Sequence, residues 1–159
     1  MKSNRMKIAV YGPLLNTHSK KTIKILIAYL KSRNALVYFE KNFYESILKN
    51  EDIDIASYHF ETFQRLDSSF RLLISVGGDG TILRAITHVK DLNIPIVGIN
   101  TGRLGFLATI PMNTVEKAMD EIFEGNYRIS KRSLLTIQID AKNTAFDLNF
   151  ALNEITVSR

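Results

Sequence analysis

Hydrophobic residues in the first 128 positions follow two patterns, short continuous runs and stripes with helical spacing. The continuous runs predict buried strands at 7–12, 35–39, 72–76 and 94–99, and a weaker run predicts one at 53–58. The stripes predict helices over 18–33, 43–48 and 82–89. Strands that alternate with helices in this way predict an α/β fold, in which a layered, mostly parallel sheet carries flanking helices.

The pattern changes towards the end of the chain. A further helix is predicted to have Asn113 as its N-cap, with Glu116 three residues later, and to end at Gly125. Apolar and polar residues then alternate over 135–140 and 146–152. This alternation predicts an antiparallel hairpin with one buried face.

The change of pattern predicts two domains with a boundary near residue 128. Residues 1–128 are expected to form an α/β domain, and residues 129–159 the beginning of an all-β domain, a truncated β-sandwich. Two or three strands with one apolar face are not stable by themselves. We therefore expect the chain to be the front part of a longer protein, unless the hairpin packs on the α/β domain or on a second chain.

Composition narrows the class of partner. The chain has 159 residues, 45% hydrophobic and 23% charged, which is ordinary for a globular protein, and it has no cysteine. Its net charge of +5 suits a polyanion such as a nucleotide, a nucleic acid or an anionic membrane. No nucleic-acid motif accompanies the charge and no apolar run approaches the ~20 residues of a membrane span, so we expect neither partner and a cytoplasmic location. The three histidines, His18, His59 and His88, have no ligand partners at metal spacing.

The glycine-rich stretch Gly77-Gly78-Asp79-Gly80-Thr81 lies between a predicted strand and a predicted helix. Glycines allow the backbone to approach a bulky group, and a helix start presents unpaired N–H groups with partial positive charge. The stretch therefore predicts a phosphate site, although it is neither a P-loop nor the dinucleotide fingerprint. Asp79 would repel a polyphosphate unless a metal ion or a proton to be abstracted accompanies it. The alternative is a plain strand-to-helix turn in which Asp79 or Thr81 caps the helix.

Three blocks resemble the NAD kinase family in the family's order. The block 77–81 resembles its signature, which diacylglycerol and sphingosine lipid kinases share and phosphofructokinases carry in a close variant. The block 100–107, Asn-Thr-Gly-Arg-Leu-Gly-Phe-Leu, is more specific to NAD kinases. The third block, Asn153-Glu154, stands where the family has an Asn-Glu pair. The family continues with β-structure that carries a Gly-Ser-Thr-Ala-Tyr-type segment, which is absent here, so little or no kinase activity is expected from this chain alone.

The resemblance implies transfer of the γ-phosphoryl group of ATP, or of polyphosphate, to the 2′-hydroxyl of the adenosine ribose of NAD, giving NADP. Asp79 would be the catalytic carboxylate that accepts or orients the hydroxyl proton. Mg²⁺ or another divalent cation would be held more by phosphates and water than by protein. Residues 129–159 would begin the dinucleotide-binding domain, and the complete protein is expected to be a homo-oligomer. The implied binding residues are Gly77, Gly78, Asp79, Gly80, Thr81, Arg84, Asn100, Leu104, Phe106, Asn153 and Glu154.

Several of these residues have a second interpretation. Arg84 is equally well read as a solvated helix residue, and Leu104 and Phe106 as core residues. Asn100 is also compatible with a strand-end turn, and Glu154 with an exposed strand position. For the whole chain, the alternatives are a lipid kinase of the same superfamily and a non-catalytic nucleotide-binding fragment.

Overall fold

The computed structural model describes residues 5–33, 35–136 and 150–152. The chain divides into two compact units, Met1–Tyr127 and Arg128–Arg159. The predicted site residues Asn153 and Glu154 lie outside the described residues, as does most of the predicted hairpin.

The first unit is built on a six-stranded sheet. Its strands are β1 (Lys7–Tyr11), β2 (Leu36–Glu40), β3 (Glu61–Phe63), β4 (Leu72–Val76), β5 (Ile96–Asn100) and β6 (Ile110–Pro111). They lie in the order β3-β2-β1-β4-β5-β6, and every neighbouring pair is parallel. The order reverses between β1 and β4, so the carboxyl ends of these two strands flank the crevice where α/β sheets of this kind bind ligands.

Helices cover both faces of this sheet. Alternate residues of each strand point to opposite faces, so the strands contribute side chains to two cores. The helices of the first unit are α1 (Thr17–Ser32), α2 (Lys41–Leu48), α3 (Asp79–Val89) and α4 (Val115–Glu124). On one face, Leu72, Ile74 and Val76 of β4 join a core with α1, α2 and α4. On the other face, Leu73 joins a second core with Ala85 of α3. The mostly parallel α/β sheet predicted from the apolar runs is thereby confirmed.

Helix α1 begins where a local capping motif fixes it. The Asn16 side chain accepts a hydrogen bond from the Ser19 amide at 2.9 Å, and the Ser19 hydroxyl accepts one from the Asn16 amide at 3.1 Å. These reciprocal bonds satisfy two amides at the helix start. The predicted stripe of α1 is confirmed, since its members are all at least 98% buried: Ile23, Leu26, Ile27 and Leu30.

Three short segments differ from the sequence prediction. The predicted strand at 53–58 is wrong, because Ala56–Tyr58 forms a 3-10 turn and the edge strand β3 follows it. The predicted N-cap Asn113 is also wrong. It lies inside a second 3-10 turn, Met112–Thr114, and α4 starts after it without a side-chain cap. Strand β6 is only two residues long, too short to produce a periodic signal. The predicted end of α4 is confirmed, because Gly125 adopts the left-handed conformation with φ 81°.

The described part of the second unit contains two antiparallel strands, β7 (Leu134–Thr136) and β8 (Phe150–Leu152). This pairing confirms that part of the predicted hairpin. Its predicted buried face is not formed at Leu135, because all three residues of β7 are exposed.

The cap of α1 gives a stability prediction. Asn16→Ala removes the acceptor of the Ser19 amide and should lower the free energy of unfolding by about 1 kcal/mol. Asn16→Asp keeps an acceptor oxygen at a helix start and should cost at most a few tenths of a kcal/mol. Urea unfolding of the two variants checks this. An equal loss in both would show that the capping bond does not carry the effect.

Candidate active site

The glycine-rich loop forms the junction between β4 and α3 at the carboxyl edge of the sheet. Gly78 is the N-cap of α3, and Asp79 is the first residue of the helix. Gly77 is buried, and a Cβ at this position would lie 2.2 Å from the Thr81 hydroxyl oxygen, so only glycine fits. Gly78 and Gly80 are exposed, with open space where a side chain would stand. The start of α3 therefore has open space beside it, and its Asp79 and Gly80 amides have no hydrogen-bond partner among the described residues.

The carboxylate of Asp79 does not cap its own helix. It accepts hydrogen bonds from three successive backbone amides in the loop after β5. The amide of Phe106 donates to Oδ2 at 2.8 Å, and those of Leu107 and Ala108 donate to Oδ1 at 3.0 and 2.9 Å. Successive N–H groups that converge on one anion form a cradle of the kind called a nest. We call the three amides of 106–108 the amide cradle.

The amide cradle changes the acidity of Asp79. Its donors stabilise the ionised carboxylate and hold the pKa of Asp79 below its ordinary value. The Ala108 amide contributes most, followed by those of Phe106 and Leu107. The side chain is half-buried, so solvent and solutes still reach it. Asp79 is thus a fixed anion beside a loop that attracts anions.

The loop that supplies the cradle is itself held by Asn100, the last residue of β5. The Asn100 side chain is 3% exposed. Its amide nitrogen donates to the Arg103 carbonyl at 2.8 Å and to the Ala108 carbonyl at 3.3 Å. Its oxygen accepts from the Gly102 amide at 2.7 Å. Asn100 therefore holds this loop in its conformation through its side chain. The sequence had left two interpretations of Asn100 open, a ligand contact and a strand-end turn residue.

The remaining predicted residues occupy different surroundings. Leu104 and Phe106 are 65% and 92% exposed, so neither belongs to the core of the described chain. Arg84 is exposed on α3, and no ion pair within the described residues engages it. The structure brings the blocks 77–81 and 100–107 together at the carboxyl edge of the sheet, where Asp79 accepts hydrogen bonds from Phe106 and Leu107.

Sequence reasoning missed the amide cradle and the position of Gly105, whose Cα faces the Asp79 carboxylate. Backbone donors carry no side-chain signal. The only available sign was a glycine placed between two large apolar residues, Leu104 and Phe106, in the second block.

A parallel sheet in this strand order, with a glycine-rich turn at its order reversal, defines a doubly wound α/β domain. The particular family follows from comparison with known proteins. Residues 10–127 match the family model of the ATP-NAD kinase N-terminal domain, so the chain belongs to the NAD kinase family.

Curated relatives agree with this assignment. The chain is 46% identical over 155 residues to the NAD kinase of Flavobacterium psychrophilum, and 44% identical over 157 residues to that of Christiangramia forsetii. Each alignment covers 97% of this chain and 53% of the relative. The chain therefore spans about half the length of the curated relatives that it matches.

Solved structures show the same fold. A yeast NADH kinase in complex with NADH superimposes with a TM-score of 0.68 at 16% identity, covering 96% of this chain and 47% of the other. An Archaeoglobus fulgidus NAD kinase in complex with ATP gives a TM-score of 0.51 at 27% identity, covering 81% and 42%. These matches confirm the α/β prediction.

Membrane-spanning helices and grouped metal ligands are both absent from the described residues. None of the helices within 5–33, 35–136 and 150–152 is long and apolar enough to cross a membrane. In the same part of the chain, no three side chains of His, Cys, Asp or Glu are grouped as ligands for a metal ion.

The cradle predicts the acid titration of Asp79. Its folded-state pKa is depressed, so the cradle bonds stabilise the fold above the unfolded-state value of ~3.9, and this stabilisation is lost as the pH falls through the folded-state pKa. The amide shifts of Phe106, Leu107 and Ala108 in NMR spectra should therefore move with a midpoint below ~3.9. Asp79→Asn should abolish this transition. A midpoint at or above the ordinary value would contradict the three observed bonds.

Proposed function

We propose that the full-length protein transfers the γ-phosphoryl group of ATP to the 2′-hydroxyl of the adenosine ribose of NAD, giving NADP. The observation that carries the proposal is the placement of Asp79, an ionised carboxylate fixed at the first turn of a helix behind a glycine-rich loop. Membership of the NAD kinase family supports it. So do the ligands bound in two solved structures of the same fold, NADH and ATP.

The reaction needs a positioned hydroxyl and neutralised phosphate charge more than covalent chemistry by the protein. The hydroxyl oxygen forms a bond to the γ-phosphorus while the bond from phosphorus to the bridging oxygen breaks. ADP leaves with that electron pair, and the hydroxyl proton passes to Asp79. Because the cradle keeps the pKa of Asp79 low, the carboxylate acts as a hydrogen-bond acceptor that orients the hydroxyl and takes its proton only as the transfer proceeds.

The loop from Gly77 to Thr81 has the features of the phosphate site. Its exposed glycines let a phosphate approach the backbone, and the amides at the start of α3 carry the positive end of the helix dipole. Thr81 adds a hydroxyl on the same turn. Arg84, one turn further along α3, is exposed and carries positive charge towards solvent, which suits contact with a phosphate that extends along the helix.

Phosphoryl transfer from ATP ordinarily uses a divalent cation such as Mg²⁺, which neutralises the phosphate oxygens. The described residues do not fit a protein-held ion. They contain no group of three potential ligands, and amide donors fill three of the roughly four acceptor positions of the Asp79 carboxylate. We infer that the ion arrives with the phosphates, and no step of the proposal depends on a protein ligand to it.

The substrate class is tested directly. The full-length protein with ATP should convert NAD to NADP in solution and leave diacylglycerol and sphingosine unchanged. An enzymatic assay for NADP and a vesicle assay for lipid phosphate measure the two reactions. Lipid phosphorylation without NADP formation would assign the protein to the lipid kinases instead.

The role of Asp79 is tested by Asp79→Asn in the full-length protein. Removing the acceptor charge should lower kcat by roughly 10²–10⁴, while ATP binding changes little. The matched control is Asp91→Asn, an exposed aspartate just beyond the end of α3, which should keep wild-type kcat. Near-normal turnover of the Asp79 variant, with the control also active, would refute the proposed mechanism.

A further inference from the structure

Gly105 lies where a side chain would collide with the proposed catalytic carboxylate. A Cβ built on Gly105 would lie 2.3 Å from Oδ1, 2.5 Å from Cγ and 2.6 Å from Oδ2 of Asp79. Real Cβ atoms essentially never approach other atoms below 3.0 Å. Since Gly105 is not among the positive-φ glycines, its backbone conformation alone does not require glycine. The requirement is for space, and Asp79 occupies that space.

The carboxylate that fills this space has one acceptor position left. An ionised carboxylate offers about four lone-pair positions, two on each oxygen. Oδ1 uses both of its positions on Leu107 and Ala108, whereas Oδ2 uses one on Phe106. The open position is therefore on Oδ2, and the cradle selects the oxygen that can receive a hydroxyl.

We propose that Gly105 is a positioning residue for the reaction. Its missing side chain admits the Asp79 carboxylate into the amide cradle, which fixes the carboxylate and turns the single open acceptor position of Oδ2 towards the substrate hydroxyl. This inference rests on the proposed function for the hydroxyl, but the seating of Asp79 in the cradle is independent of it. Gly105 acts through Asp79, so its contribution should disappear when Asp79 is replaced.

The seating is tested by hydrogen exchange in the full-length protein. Gly105→Ala should displace the carboxylate and make the amides of 106–108 exchange roughly tenfold faster or more, because each loses its acceptor. Gly102→Ala adds the same methyl group to the same loop, but nothing lies within 4 Å of its Cβ, and it should leave these amides protected. Asp79→Asn offers a second route to the same loss, because the side-chain NH₂ group that replaces one carboxylate oxygen would face a backbone donor.

The positioning role is tested by a double-mutant cycle on kcat. In the wild-type background, Gly105→Ala should lower kcat by roughly 10- to 100-fold with little change in the KM for ATP, since misplacement of a reacting group by about 1 Å has effects of this size. In the Asp79→Asn background, the same change should lower kcat less than about threefold, because the group that Gly105 positions is already disabled.

The outcomes distinguish a failure of the positioning role of Gly105 from a failure of the proposed kinase function. Equal losses of kcat in both backgrounds, at unchanged thermal midpoint, would overturn the positioning role. Protected amides at 106–108 in Gly105→Ala would overturn the seating. If the wild-type protein makes no NADP, the proposed function fails, while the exchange experiment still decides whether Gly105 admits Asp79 into the cradle.

Discussion

The carboxylate of Asp79 links two loops that no other described side chain joins by hydrogen bonds. A carboxylate at the start of a helix competes with phosphate for the same positive helix end. The structure avoids this competition, because the carboxylate turns away from its own helix and binds the amides of 106–108. The amides of Asp79 and Gly80 at the start of α3 keep no hydrogen-bond partner among the described residues, whereas that of Thr81 donates to the Gly78 carbonyl at 2.9 Å. The direction of one side chain thus separates the cradle of Asp79 from the site proposed for phosphate.

The glycine loop and the loop of the amide cradle lie close together because of the sheet topology. Strands β4 and β5 are parallel neighbours, with Val76 opposite Ile99, so the loops that follow them emerge at the same edge. The Gly77 amide donates to the Ile99 carbonyl at 2.9 Å and extends the pairing into the glycine loop. Asn100 then folds the second loop back on itself. The parallel register therefore sets the position of the cradle before any side chain of the site is considered.

The sequence predicted the features that depend on local patterns. Continuous apolar runs marked the four long strands, and spacing of apolar residues marked α1, because both signals arise within a few consecutive positions. Asp79 was also found locally, from its neighbouring glycines. The cradle was not, because its donors are backbone groups 27 to 29 residues away in the chain. The strand predicted at 53–58 and the cap predicted at Asn113 were wrong, because each falls on a three-residue 3-10 turn, which is too short to give a periodic signal.

Two apolar residues that the sequence left undecided, Leu104 and Phe106, lie on the loop that supplies the cradle. The amide of Phe106 is bound to Asp79, yet its ring is 92% exposed, and Leu104 beside it is 65% exposed. Scattered exposed apolar side chains need no explanation by themselves. Here, however, the backbone of the exposed ring is fixed by the same carboxylate that is proposed to receive the substrate hydroxyl. The position of the Phe106 backbone relative to Asp79 is therefore set by one hydrogen bond, 2.8 Å long, to Oδ2.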